Sequence, residues 1–118
     1  MRLDQRDESR LRDMVLWSRK AISILGEIPY MEFLGNEEKR LALVRCVEVI
    51  GEAAHGVSGP VKAELPTIPW HAAYGMRNRL IHDYGNTNDR VVFDVIRDDL
   101  PGMYAILEAF LNDRGIRP

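Results

Sequence analysis

At 118 residues, 46% hydrophobic and 29% charged, the chain has enough apolar mass for one compact domain spanning 1–118 and too little length for a second. A formal net charge of −2 supplies no global basic field, which disfavours a nonspecific high-affinity nucleic-acid binder and leaves any nucleic-acid contact to local patches. The lone Cys46 excludes an intrachain disulfide, no apolar run approaches the ~18 residues of a membrane span, and the charged start MRLDQRDESRLRDM is unlike a secretory segment, so a cytoplasmic domain without membrane contact is expected.

Helical periodicity runs through nearly the whole chain. A first helix is expected from about Asp4 to Glu27, because Leu11, Met14, Val15, Ser18, Ile22 and Leu25 recur at helical spacing opposite Arg12, Asp13, Arg19 and Lys20. Gly26, Pro29 and Gly35 punctuate the loop that follows, and Met31, Phe33 and Leu34 within it should pack back on the core. A second helix, about Glu37 to His55 with Asn36 at its start, is apolar nearly all round. It needs neighbours on several faces, either as the central helix of a monomer or with a second subunit. Arg45, Glu48 and Glu52 interrupt its apolar surface one turn apart, as an ion-pair ladder or as groups that orient other side chains. Cys46 sits in the same run as a small buried hydrophobe rather than a nucleophile.

The loop 56–69 is rich in Gly, Ser and Pro, with room for one helical turn around Lys62 to Leu65. Next comes WHAAYGMRNRLIHDYG, Trp70 to Gly85, readable as one helix of about four turns with Thr67 as a cap and Gly85 as a left-handed C-cap. After GNTN, Asn88 or Asp89 can cap a helix carrying Val91, Val92, Val95 and Ile96. Asp98 or Asp99 can cap another from about Leu100 to Asn112, with Pro101 in its first turn. The expected architecture is all-α, an up-and-down four-helix bundle with the last helix broken near Pro101.

The stretch from Arg77 to Tyr84 gathers Arg77, Asn78, Arg79, His82, Asp83 and Tyr84, more proton-transferring and phosphate-binding groups than any other segment. At about 100° per residue, Asn78 and His82 share a face with Arg79 beside them, whereas Arg77 points about 140° from His82 and aligns with Tyr84. Arg77 and His82 of one chain therefore converge poorly, and a second copy across a two-fold axis would bring both pairs to one cleft. The alternative is a solvated last turn whose cations complement the helix dipole.

Other chemistries lack their residues. His55, His71 and His82 do not have the spacing of helical metal ligands, and one cysteine cannot build a thiolate zinc site. No Walker loop or dinucleotide-binding glycine pattern occurs, and Ser58 has no base at a recognisable offset. No metal and no cofactor is therefore expected, which leaves general acid and base chemistry. Imidazole suits proton transfer near neutral pH, and guanidinium suits the binding of a phosphate.

Arg77, four residues, His82, one residue and Tyr84, with Asn78 after the Arg, resembles the signature of the HepT-like branch of the HEPN family. RCVEVIGEAA at Arg45 to Ala54, IPW at Ile68 to Trp70 and DLPGMYAILE at Asp99 to Glu108 extend the resemblance, in order, over about Leu11 to Leu111. It implies a HEPN-type helical bundle, a homodimer, and a metal-independent endoribonuclease toxin of a type VII-like toxin–antitoxin pair. It further implies RNA rather than DNA as substrate, Arg77, Asn78 and His82 as catalytic, and Arg45, Glu48, Glu52, Arg79 and Asp83 as supporting. A cognate minimal nucleotidyltransferase antitoxin would silence the toxin by AMP transfer to Tyr84, whose other role would be that of a half-buried helix-end aromatic. Two further classes stay open: a non-catalytic nucleotide- or RNA-binding accessory subunit of that partner, and a purely structural helical dimer.

Overall fold

The computed structural model describes residues 3–80 and 88–117, as backbone alone over 76–80. Helix α1 (Gln5–Leu25) is capped by Asp4, whose carboxylate accepts the Asp7 N–H at 2.8 Å, and it stops where Gly26 turns to φ 58°. Leu11, Met14, Val15, Ser18, Ala21 and Leu25 are buried along one stripe, as the periodicity requires. The following segment is not a plain loop: Tyr30–Leu34 forms a short helix, α2. Phe33 is fully buried, and Tyr30 packs edge-on to Phe93 with centroids 5.1 Å apart. Met31, expected to pack inward, is instead 76% exposed, because so short a helix has one buried face and Phe33 takes it.

Helix α3 (Glu37–Gly56) starts at Asn36, whose side chain accepts the Lys39 N–H at 3.0 Å. It buries Leu43, Cys46, Val47, Ile50, Gly51, Ala53 and Ala54. The protomer does not cover it all round: Leu41 is 65% exposed, and Leu41, Arg45, Glu48, Glu52 and His55 form an open line at intervals of three and four residues. Helix α4 (Gly59–Glu64) occupies the loop where one turn was expected.

Helix α5 (Trp70–Leu80) begins with the Ala73 N–H donating to the Pro69 carbonyl at 2.8 Å. Pro69 thus holds the cap position and Thr67, expected there, lies two residues short of it. The Trp70 indole N–H donates to the Leu65 carbonyl at 3.0 Å and fixes the entry into α5. The continuation expected to Gly85 falls at 81–87, outside the described residues.

Helix α6 (Asp89–Asp94) is capped by Asn88, and α7 (Leu100–Asp113) follows through a π-helical turn, Val95–Asp99. The interruption near Pro101 is this π turn and not a capped restart. Asp99 keeps helical angles and makes no side-chain cap, while the Leu100 N–H reaches back five residues to the Val95 carbonyl. A proline ring crowds the carbonyl four residues before it and offers no N–H, so a widened turn relieves the chain where an ordinary one would clash.

Helix α3 packs on both α1 and α5, and α7 packs on α1 and shares a cavity lining with the start of α5. Leu11, Met14, Val15, Leu43, Val47, Ile50, Val92, Ile96, Leu100, Leu107 and Leu111 fill the shared core, each worth about 1.5–3 kcal/mol of apolar burial. The fold is all-α, with no strand among the described residues, and none of their helices is long and apolar enough to cross a membrane.

Candidate functional site

Two helices carry the polar residues of interest. Positions 77, 78 and 79 lie on the last described turn of α5, so Arg77, Asn78 and Arg79 are helical as expected, with side chains outside the described set. His82, Asp83 and Tyr84 lie outside the described residues altogether. Helix α5 packs directly on α3, and the contact between the open line of α3 and α5 is made by His55 against Tyr74, three residues before position 77.

Arg45 and Glu52 of α3 are both exposed and share a polar depression of about 260 Å³ with Arg10 and Asp13 of α1, floored by Val49 and Ala53. Glu48, half-buried, is not part of its lining. The ladder expected along α3 is incomplete, because Arg45 and Glu48 form no ion pair with each other. Arg45 opens instead on the depression between α1 and α3.

Arg10 also runs across the end of α3, so close to Gly56 that a Cβ there would meet its guanidinium. Beside it the Asp7 carboxylate, nearly buried, accepts the Ser58 N–H at 2.8 Å and the Ser58 hydroxyl at 2.7 Å, which clasps the start of α1 to the turn after α3. At the same end, the His55 imidazole of α3 stacks on the Tyr74 ring of α5, with centroids 4.0 Å apart and planes at 22°.

Sequence reasoning missed this group. Arg10, Asp7 and Ser58 meet across more than forty positions, and His55 meets Tyr74 only because α3 and α5 pack. No periodic pattern marks a contact between one residue on each of two helices. The buried Cys46 behaves as expected: burial raises its pKa above the ordinary thiol value, partly offset by the charge of Lys20, so its thiolate is suppressed. Among the described residues no His, Cys, Asp and Glu side chains form a group able to hold a metal ion.

The family model described as "Ribonuclease HepT-like" matches residues 18–110. Among similar proteins, "Putative RNase MJ1380" of Methanocaldococcus jannaschii is 31% identical over 91 residues, covering 77% of this chain and 84% of that protein. "Probable ribonuclease HepT" of Thermococcus cleftensis is 34% identical over 77 residues, covering 65% of this chain and 70% of its own. No solved structure matches. The match runs from within α1 almost to the end of α7 and takes in the whole Arg77 to Tyr84 stretch, so this chain belongs to the HepT-like ribonuclease family.

Proposed function

We propose that the chain is a metal-independent endoribonuclease that acts as a homodimer and serves as the toxin of a toxin–antitoxin pair. The observation that carries this reading is the family match over residues 18–110, which encloses an intact Arg77, Asn78, His82 and Tyr84 set. In the proposed reaction the substrate's own 2′-hydroxyl attacks the adjacent phosphorus and the bond to the 5′-oxygen breaks. One His82 takes the hydroxyl proton and the two-fold related His82 protonates the departing oxygen. Arg77 stabilises the charge on the phosphorane, and Asn78, one turn before His82, orients the ring or binds a phosphate oxygen.

Two copies of the motif in one cleft would answer the difficulty that Arg77 and His82, if both lie on one regular helix, point apart. The Leu41 end of the open line of α3, away from His55, offers a second copy an apolar surface. Regulation follows from Tyr84. In a partner nucleotidyltransferase the Tyr84 hydroxyl would attack the α-phosphate of ATP and release pyrophosphate. The resulting AMP would pair with Arg77 and fill the cleft.

The test is the chemistry of the products. In excess EDTA the protein should cut single-stranded RNA to leave 2′,3′-cyclic phosphate ends, and a single 2′-deoxy substitution at the cut position should block that cut. Cleavage that requires added divalent metal, or that leaves 3′-hydroxyl ends, would overturn the mechanism. Mass spectrometry after incubation with ATP and the partner enzyme should show AMP on Tyr84 and none on a Tyr84→Phe variant.

A further inference from the structure

The stacked pair at the junction of α3 and α5 has no part in the catalysis proposed above. His55 is exposed in the last turn of α3, and its ring lies nearly parallel to that of the half-buried Tyr74, with centroids 4.0 Å apart. Tyr74 covers one face of the imidazole, and His55 remains exposed overall. A flat ring already held by a tyrosine has little rotamer freedom left to lose, which is what a stacking platform needs.

Tyr74 also lies one turn before the proposed catalytic positions 77 and 78 on α5. Along α5, positions 77 and 78 follow it by three and four residues, which places them on the same face about 4.5–6 Å further along the axis. Attack by a 2′-hydroxyl requires the flanking nucleotide to leave its regular stack so that the attacking and departing oxygens line up. A base turned out in this way needs a surface to rest on, and aromatic rings, imidazole among them, are the usual surface for unstacked RNA bases.

We propose that His55 and Tyr74 form a stacking subsite for a nucleobase of single-stranded RNA beside the scissile phosphate. Tyr74 backs the platform and His55 presents it. The subsite rests on the ribonuclease reading, and it adds the preference for an unpaired strand that a phosphate clamp alone would not supply.

The experiment measures binding without cleavage, using the full-length protein and 2′-O-methyl oligoribonucleotides with 2-aminopurine at successive positions. Native protein should quench the probe strongly at one position. His55→Ala should lose that quenching and bind between about 5- and 150-fold more weakly, and His55→Phe should recover most of both. An oligonucleotide made abasic at that position should bind native and His55→Ala protein equally, an equality that a merely structural role for His55 would not produce. If native protein cleaves RNA but His55→Ala matches it in quenching and affinity, the subsite is wrong and the ribonuclease reading stands. If native protein neither binds nor cleaves RNA, both fall.

Discussion

Asp7 shows how one side chain secures the end of the molecule that holds the proposed platform. It stands at the third position of α1, where the helix N-terminus favours a carboxylate, and both oxygens are used on Ser58. Asp7→Ala leaves the Ser58 N–H and hydroxyl without their acceptor and should cost about 2–3 kcal/mol in urea unfolding, with Asp7→Asn milder because it keeps one acceptor oxygen. An unchanged midpoint in Asp7→Ala would mean that the clasp contributes nothing. Cys46 yields a prediction of reactivity. Burial favours its neutral form, so at pH 8 the folded protein holds less thiolate than a free cysteine would. Alkylation of native protein should be on the order of ten-fold or more slower than after unfolding in guanidinium, and equal rates would contradict the burial.

At the scale of elements, the π turn does more than accommodate Pro101. It carries Arg97, whose guanidinium donates to the Ile28 carbonyl at 2.7 Å and the Gly26 carbonyl at 3.1 Å and lies over Phe93 at 4.7 Å. The widened turn thereby pins the link between α1 and α2. Arg97→Leu removes both charged donors while keeping some of the packing, and should lower unfolding stability by about 2–3 kcal/mol, with Arg97→Lys recovering part. Equal stability of Arg97→Leu and native protein would show that the link holds without it. Helices α1 and α3 were legible in the sequence because periodicity and caps are local: Asp4 and Asn36 cap where a side-chain oxygen precedes an apolar run, as Asn88 does for the short α6. Helix α2 was not, since five residues are too few to show a period, and the π turn was not, since a proline between two helical runs reads equally well as a new start.

For the whole molecule, the candidate site could be picked out in the sequence because Arg77, Asn78 and His82, proposed as catalytic, and Tyr84, the proposed modification site, lie within eight positions of one another. The groupings on the other helices could not be picked out, because Arg10, Asp13, Arg45 and Glu52 meet only when α1 packs on α3, and His55 meets Tyr74 only when α3 packs on α5. The protomer leaves Leu41 65% exposed at the end of α3 that a second copy is proposed to cover. Sedimentation at micromolar concentration should therefore give a dimer, with at least ~1,200 Å² buried in total. Leu41→Glu should give folded monomers with little activity, since an exposed position tolerates the charge in the protomer and not in the interface. A Leu41→Glu protein that is still dimeric would move the interface elsewhere.

The most direct test of the account is the rate of RNA cleavage in excess EDTA by native protein and by His82→Ala, each first confirmed as folded by circular dichroism. If His82 transfers protons in the reaction, the variant should be slower by at least ~100-fold with its helix content and oligomeric state unchanged. A folded His82→Ala protein that cleaves RNA at the native rate would contradict it.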